Sequence, residues 1–143
     1  MEEAHLRRVA GAPVGRLATV TEDGAPHVVP FCFALDTESG AIYWAVDHKP
    51  KSTAELKRLA NLAAEPRVSF VVDEYADDWS QLWWVRVDGT SAVVVSESER
   101  EHALDLLAAK YTQYREVRPV GAVVRVDPTR FVGWAASPPA PGA

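Results

Sequence analysis

The sequence predicts an α+β protein, a small six-stranded antiparallel barrel with flanking helices. Three features carry this expectation. Strand-like runs of period two meet at the Gly-containing turns Glu22-Asp23-Gly24 and Glu38-Ser39-Gly40. Helical patterns interrupt the strands only a few times, and the regular βαβ alternation of a doubly wound sheet is missing. The 143 residues suffice for one domain with a real core and are too few for two. Residues 1–137 are read as that domain, and 138–143, the end of "SPPAPGA", as a tail too rich in Pro and Gly to pack.

Element by element, Glu2 to Ala10 gives a short helix, and "VGRLATVTEDGAPHVVPFCFALD" gives a hairpin. In its second run Val29, Phe31, Phe33 and Leu35 share one face, a core face. "AIYWAVD" is the third strand and "TAELKRLANLAA" the next helix, ended before Pro66. "RVSFVVDEY" is a nearly continuous apolar strand expected to be buried on both sides. An acidic loop, "EYADDWSQ", precedes the long strand "LWWVRVDGTSAVVVS". Ser96 and Glu99 match a capping box for a helix with Ala103, Leu107, Tyr111 and Tyr114 on one stripe. "VGAVVRVDPTRFVGW" is the last strand.

Composition excludes several function classes. Hydrophobic residues make up 48% and charged residues 24%, and no apolar run approaches the ~20 residues that cross a bilayer. The N-terminus, "MEEAHLRRVAGAPVG", begins acidic and has no apolar h-region, so a cytoplasmic protein is expected. A net charge of −5 argues against a nucleic-acid partner. Cys32 is the only cysteine, in "VVPFCFAL", where a small buried hydrophobe is the expected role. His5, His27, His48 and His102 lack paired ligand spacing, so no metal site is expected. No G-x-G-x-x-G, P-loop or G-x-S-x-G is present. If the protein is an enzyme, a cofactor supplies the reactive atom.

The stretch "DHKPKSTAELKR" is the most informative. Lys49, Lys51 and His48 crowd the start of a helix that Ser52 or Thr53 can cap. Cations there oppose the helix dipole, each at a cost of ~0.3–1 kcal/mol. A bound anion would offset that, since a helix N-terminus with free N–H groups, a hydroxyl and lysines suits a phosphate. A solvated basic linker is the other reading. Trp79, Trp83 and Trp84 form a second cluster. In a strand the last two face opposite sides, and the outward ring covers a subunit contact, a flat ligand or the core's periphery. Arg86, on the face of Trp84, is expected to pair with a carboxylate rather than bind an anion.

Taken in order from Val9 to Trp134, these segments, with "LLAAKYTQYR" and "VVRVDPTRFVGW", resemble the split β-barrel flavin proteins related to pyridoxamine 5'-phosphate oxidase. Within that superfamily the chain is most similar to the short actinobacterial branch of deazaflavin-dependent reductases that use coenzyme F420. The resemblance implies a homodimer with two cofactor sites at the subunit interface. It implies a cofactor phosphate on Lys49, Lys51 and Ser52, with Thr53 and His48 adjacent, and a ring system flanked by Val29, Pro30, Phe31 and Val46. Trp79 would close the pocket, from either subunit.

The implied activity is that of an F420H2-dependent reductase passing hydride to an activated double bond of a planar small molecule. FMN is the alternative cofactor, because its single phosphate needs only a compact cluster, whereas the anionic F420 tail suits a longer basic track. Lys57 and Arg58 could extend that track or form a solvated helix face. The Arg-Lys pair of the pyridoxamine oxidases is replaced here by "TAELKR" after Ser52, which argues against that oxidase activity. A non-catalytic carrier of F420, haem or another pigment is the rival of a different class. No catalytic residue is assigned. His27 and Tyr43 are possible proton donors without a visible partner, and His27 is expected to be exposed.

Overall fold

The computed structural model describes residues 3–46 and 53–137, with the backbone alone over 53–56. Helix α1 (Glu3–Gly11) leads into β1 (Gly15–Val20) and β2 (Pro26–Phe31). The turn between them closes through the Thr21 N–H on the Ala25 carbonyl at 2.9 Å. Gly24 there takes φ 88°, a conformation glycine adopts at no steric cost. The following elements are β3 (Ala34–Leu35), β4 (Ile42–Ala45), α2 (Thr53–Ala64), β5 (Arg67–Glu74), a 3-10 turn at Trp79–Gln81, β6 (Trp83–Val93), α3 (Glu97–Lys110), α4 (Thr112–Glu116) and β7 (Val123–Ala135).

The seven strands form one antiparallel sheet in the order β2-β1-β5-β6-β7-β4-β3. This is the expected α+β architecture with one more strand than expected. The second hairpin run divides, because Phe31 is the last residue opposite β1, at Gly15, and Ala34 already pairs with Tyr43 of β4. Between them the Phe33 backbone is held by side chains instead of a ladder. Its N–H donates to the Tyr111 hydroxyl at 3.1 Å, and its carbonyl accepts from Lys110 Nζ at 2.9 Å. The two ends of the sheet order are therefore joined by Cys32 and Phe33, so the sheet must curl on itself.

Leu17, Phe31, Phe33, Trp44, Phe70, Val85, Val87 and Val126 fill the inside of the curl, with Val9 of α1 and Leu62 of α2 packed among them. Fully burying each such side chain contributes roughly 1.5–3 kcal/mol. A second cluster lies on the other face of β4 and β7, where Ala103, Leu104 and Leu107 of α3 cover Ala34, Tyr43 and Val123. Among the described residues no helix is long and apolar enough to cross a membrane.

Several local expectations change. Strand β5 alternates instead of being buried on both sides: Val68, Phe70 and Val72 are buried, and Ser69 and Val71 are half-buried. Only half of the capping box forms. Ser96 Oγ accepts the Glu99 N–H at 3.3 Å, but the Glu99 carboxylate turns to Tyr43 and Arg125. The long helix breaks at Tyr111, which takes an extended conformation (φ −119°, ψ 121°) between α3 and α4. Its hydroxyl, donating to the Pro13 carbonyl at 2.9 Å and accepting from Phe33, ties that break to the strand crossover. Cys32 is exposed, because a residue that bridges two sheet edges has no strand beside it to cover it.

Candidate cofactor site

The curl leaves a gap. β3 covers only Ile42 and Tyr43 on the outer edge of β4, so among the described residues Trp44 and Ala45 have β7 on one side and no strand on the other. β2 is likewise an edge strand, paired only with β1, and Pro26 and Pro30 are tolerated there because an edge need not donate on both sides. Between these edges lies a cleft of about 440 Å³, lined by Pro30, Phe31 and Cys32 from the β2 side and by Trp44 and Ala45 of β4. Val14, Tyr114 and Arg58 complete the wall. Phe31 meets Trp44 edge to face with ring centroids 6.4 Å apart, and the Arg58 guanidinium lies over the Trp44 ring at 5.8 Å.

Among the residues whose side chains are described no carboxylate pairs with Arg58, which lies over the Trp44 ring. A second cleft of about 720 Å³, lined by Pro13, Tyr111, Gln113, Glu116 and Val117, shares Cys32 and Tyr114 with the first. At that junction burial pushes the Lys110 amine down to about 8 and the Tyr111 phenol up to about 12.

Of the residues expected to flank a ring system, Pro30 and Phe31 line the cleft. Val29 packs against the core, and Val46 is buried at the end of β4 with its N–H on the Ala122 carbonyl at 2.8 Å. Neither lines the cleft. Trp79 is 68% exposed on its 3-10 turn and does not line the cleft of its own chain. His48, Lys49, Lys51 and Ser52 lie outside the described residues, as does the side chain of Thr53. In the chain they join β4, whose Ala45 lines the cleft, to α2, whose Arg58 lines it.

The basic track divides. Arg58 faces the cleft, but Lys57 lines a separate one of about 520 Å³ with Thr21, Glu22, Asp23, Ala25 and Asn61. Trp83 packs against the core while Trp84 lies on the outer face opposite Trp134, so the two rings do face opposite sides. Arg86 pairs with Asp88 at 2.9 Å, as expected. Neither possible proton donor lines the cleft. Tyr43 is buried beneath α3 with its hydroxyl donating to Glu99 Oε2 at 2.8 Å, and burial raises its pKa. His27 is exposed near the β1–β2 turn.

Sequence reasoning passed over Trp44, Val14 and Tyr114 as cleft residues. The only signal for Trp44 was its place one residue before Ala45 in the strand that leads to the lysines. No spacing rule brings Tyr114 and Pro30 to one cleft, since that depends on the sheet's closure.

These residues fit a flat, anionic cofactor. Two strand edges flank the cleft where a ring would lie, an aromatic pair walls it, and the Arg58 guanidinium would meet an anionic substituent. A 5a,11a-dehydrotetracycline/5a,11a-dehydrooxytetracycline reductase from Streptomyces rimosus is 32% identical over 123 residues, covering 84% of this chain and 72% of that protein. The conserved hypothetical protein Rv2991 of Mycobacterium tuberculosis shares the fold with a TM-score of 0.76 at 23% identity, over 95% of this chain and 86% of that one. An FAD-binding protein of Mesorhizobium loti does so with a TM-score of 0.69 at 24% identity, over 93% and 94%. The profile of the pyridoxamine 5'-phosphate oxidase family matches residues 1–135, and the chain belongs to that family.

Proposed function

We propose that the protein is an F420H2-dependent reductase acting on an activated double bond of a planar small molecule. Family membership and the reductase relative support an oxidoreductase of the flavin type. The observation that carries the reading is the open edge of β4 at Trp44 and Ala45, facing Pro30 and Phe31 with Arg58 alongside. That is a slot for a ring system whose charged substituent lies toward α2. When bound, the cofactor supplies hydride from C5 of its deazaflavin ring.

The chain's own part is positioning. Strand edges and the Phe31 and Trp44 rings hold the plane, and the basic segment at His48, Lys49, Lys51, Ser52 and Thr53 takes the phosphate, with Arg58 behind it. The larger cleft beyond Cys32 and Tyr114 has room for the planar acceptor. No proton donor is assigned to the chain, and solvent protonates the product.

The working unit in this reading is a homodimer. The outer sheet face carries Val71, Trp84, Val132 and Trp134 on neighbouring strands, with Arg86 and Asp73 among them and Trp134 48% exposed, a mixed aromatic and charged surface suited to a second copy. Trp79 then closes the site from the partner.

FMN is the second reading, and the position of Lys57 favours it. With Lys57 turned toward Asp23, a long anionic tail meets Arg58 alone beyond the phosphate. Calorimetric titration of the apo-protein with F420 and with FMN separates the two; tighter binding of FMN overturns the F420 assignment. Turnover with F420H2 against a panel of quinones and enones then distinguishes an enzyme from a carrier. If no member of the panel oxidises the bound cofactor, the protein is a carrier.

A further inference from the structure

Trp44 carries an anomaly. The side chain is only 2% exposed, and its indole Nε1 is buried with no hydrogen-bond partner among the described residues. Leaving a buried donor unmade is costly, and most buried polar groups avoid that cost. Packing does not demand a tryptophan at this position, since phenylalanine presents a similar flat face to Phe31 without the orphaned donor. The residue also lines the 440 Å³ cleft, where among the described side chains the flexible Arg58 lies over its ring, with the guanidinium 5.8 Å from the ring centroid. A cation over an indole is held only weakly at exposed sites. An anion offering a charge-assisted hydrogen bond holds that arginine more strongly than the ring does.

We propose that Trp44 is a ligand-binding residue: when a planar ligand with carbonyl oxygens and an anionic group fills the cleft, Arg58 leaves the ring for the anion, and the uncovered indole N–H donates to a ligand oxygen. The inference rests on the reading of this cleft as the cofactor site and adds a specific atom to it. It also gives the unpaired donor a reason: a group left unsatisfied in the free protein forms its bond only with ligand present, so its whole desolvation cost becomes binding selectivity for an acceptor-bearing ring.

The test is a ¹H–¹⁵N spectrum of the five tryptophan indoles, with Trp44 assigned by the peak missing in Trp44→Phe, recorded with FMN and with F420 as probes. The expected result is a downfield shift of the Trp44 indole proton on saturation with whichever probe binds. Trp44→Phe should also raise the dissociation constant about five- to tenfold. Arg58→Met should weaken binding about tenfold or more and, in the free protein, speed solvent exchange of the Trp44 indole proton. Binding with the Trp44 peak unmoved, or with unchanged affinity in Trp44→Phe, overturns this inference and leaves the cofactor reading standing. If neither probe binds the wild-type protein, the cofactor reading fails and this inference with it. Thermal melting of each variant without ligand separates lost binding from lost folding.

Discussion

Lys57 and Arg58 follow one another in α2 yet line different clefts, Arg58 the one between β2 and β4 and Lys57 the one walled by Glu22 and Asp23. Successive helix residues point about 100° apart, so one turn of helix cannot aim both at one ligand. Arg58→Ala should therefore lower cofactor affinity about 10- to 100-fold, the loss of one charge-assisted contact. Lys57→Ala should change FMN affinity less than about threefold, as a solvent-exposed charge does. Isothermal titration of both variants checks this. Equal losses would place Lys57 in the site.

Tyr43 and Glu99 form a structural contact at 2.8 Å on the face of β4 opposite Trp44. Tyr43→Phe should cost about 1 kcal/mol in stability and leave turnover unchanged, since Glu99 keeps Arg125 at 3.0 Å. Urea denaturation and steady-state kinetics report the two effects separately. A large drop in kcat without a stability change would restore Tyr43 as a proton donor.

Acid should weaken the same side of the molecule. The Tyr43 hydroxyl, ahead of Arg125, holds the Glu99 pKa below its usual value, and the His102 hydrogen bond at 2.8 Å does so for Asp36. A carboxylate depressed on folding stabilises the protein above its unfolded pKa, near 4, and that stability is lost as pH falls through the folded value. Wild-type stability should decline below about pH 4, and Asp36→Asn with Glu99→Gln should flatten that decline. Urea midpoints between pH 7 and 3 measure it.

At the alkaline end the sign reverses for Lys110. Burial lowers its pKa to about 8, so above that pH the unfolded chain holds a proton that the folded protein has released, and stability rises until about pH 10.4. Tyr111, raised to about 12 by burial, acts the other way above about pH 10, where only the unfolded phenol ionises. A stability maximum between these limits is expected in chemical denaturation. Lys110→Met should abolish the rise.

Gly89 lies at the irregularity between β6 and β7, where a Cβ would meet the Asp127 carbonyl oxygen at 2.6 Å and Val126 at 2.9 Å. Backbone cannot yield as a side-chain tip can. Gly89→Ala should destabilise by about 1–3 kcal/mol, the usual range for overpacking. The shift in melting temperature reads it directly.

Much of the barrel was legible because local chemistry and global packing agree. The Asp23-Gly24 turn, the face shared by Phe31, Phe33 and Leu35, and the Ser96 cap all formed from short-range signals. What escaped the sequence depends on distant partners. Nothing near Cys32 announces that the strand changes sheet edges there, since the device that holds the crossover is Lys110 and Tyr111, 77 and 78 residues away from Phe33. The site divides the same way. Pro30 and Phe31 are named only through the family resemblance and Arg58 only as one of two possible extensions of the basic track, while Trp44 and Tyr114 join the cleft through closure of the sheet.

The most direct measurement is a crystal structure of the protein grown with F420 or FMN. The account predicts the ring between Pro30-Phe31 and Trp44-Ala45, its phosphate within hydrogen-bond reach of Lys49, Lys51 and Ser52, and Arg58 on an anionic oxygen. A cofactor bound on another face, or a phosphate held away from residues 48–53, would contradict it.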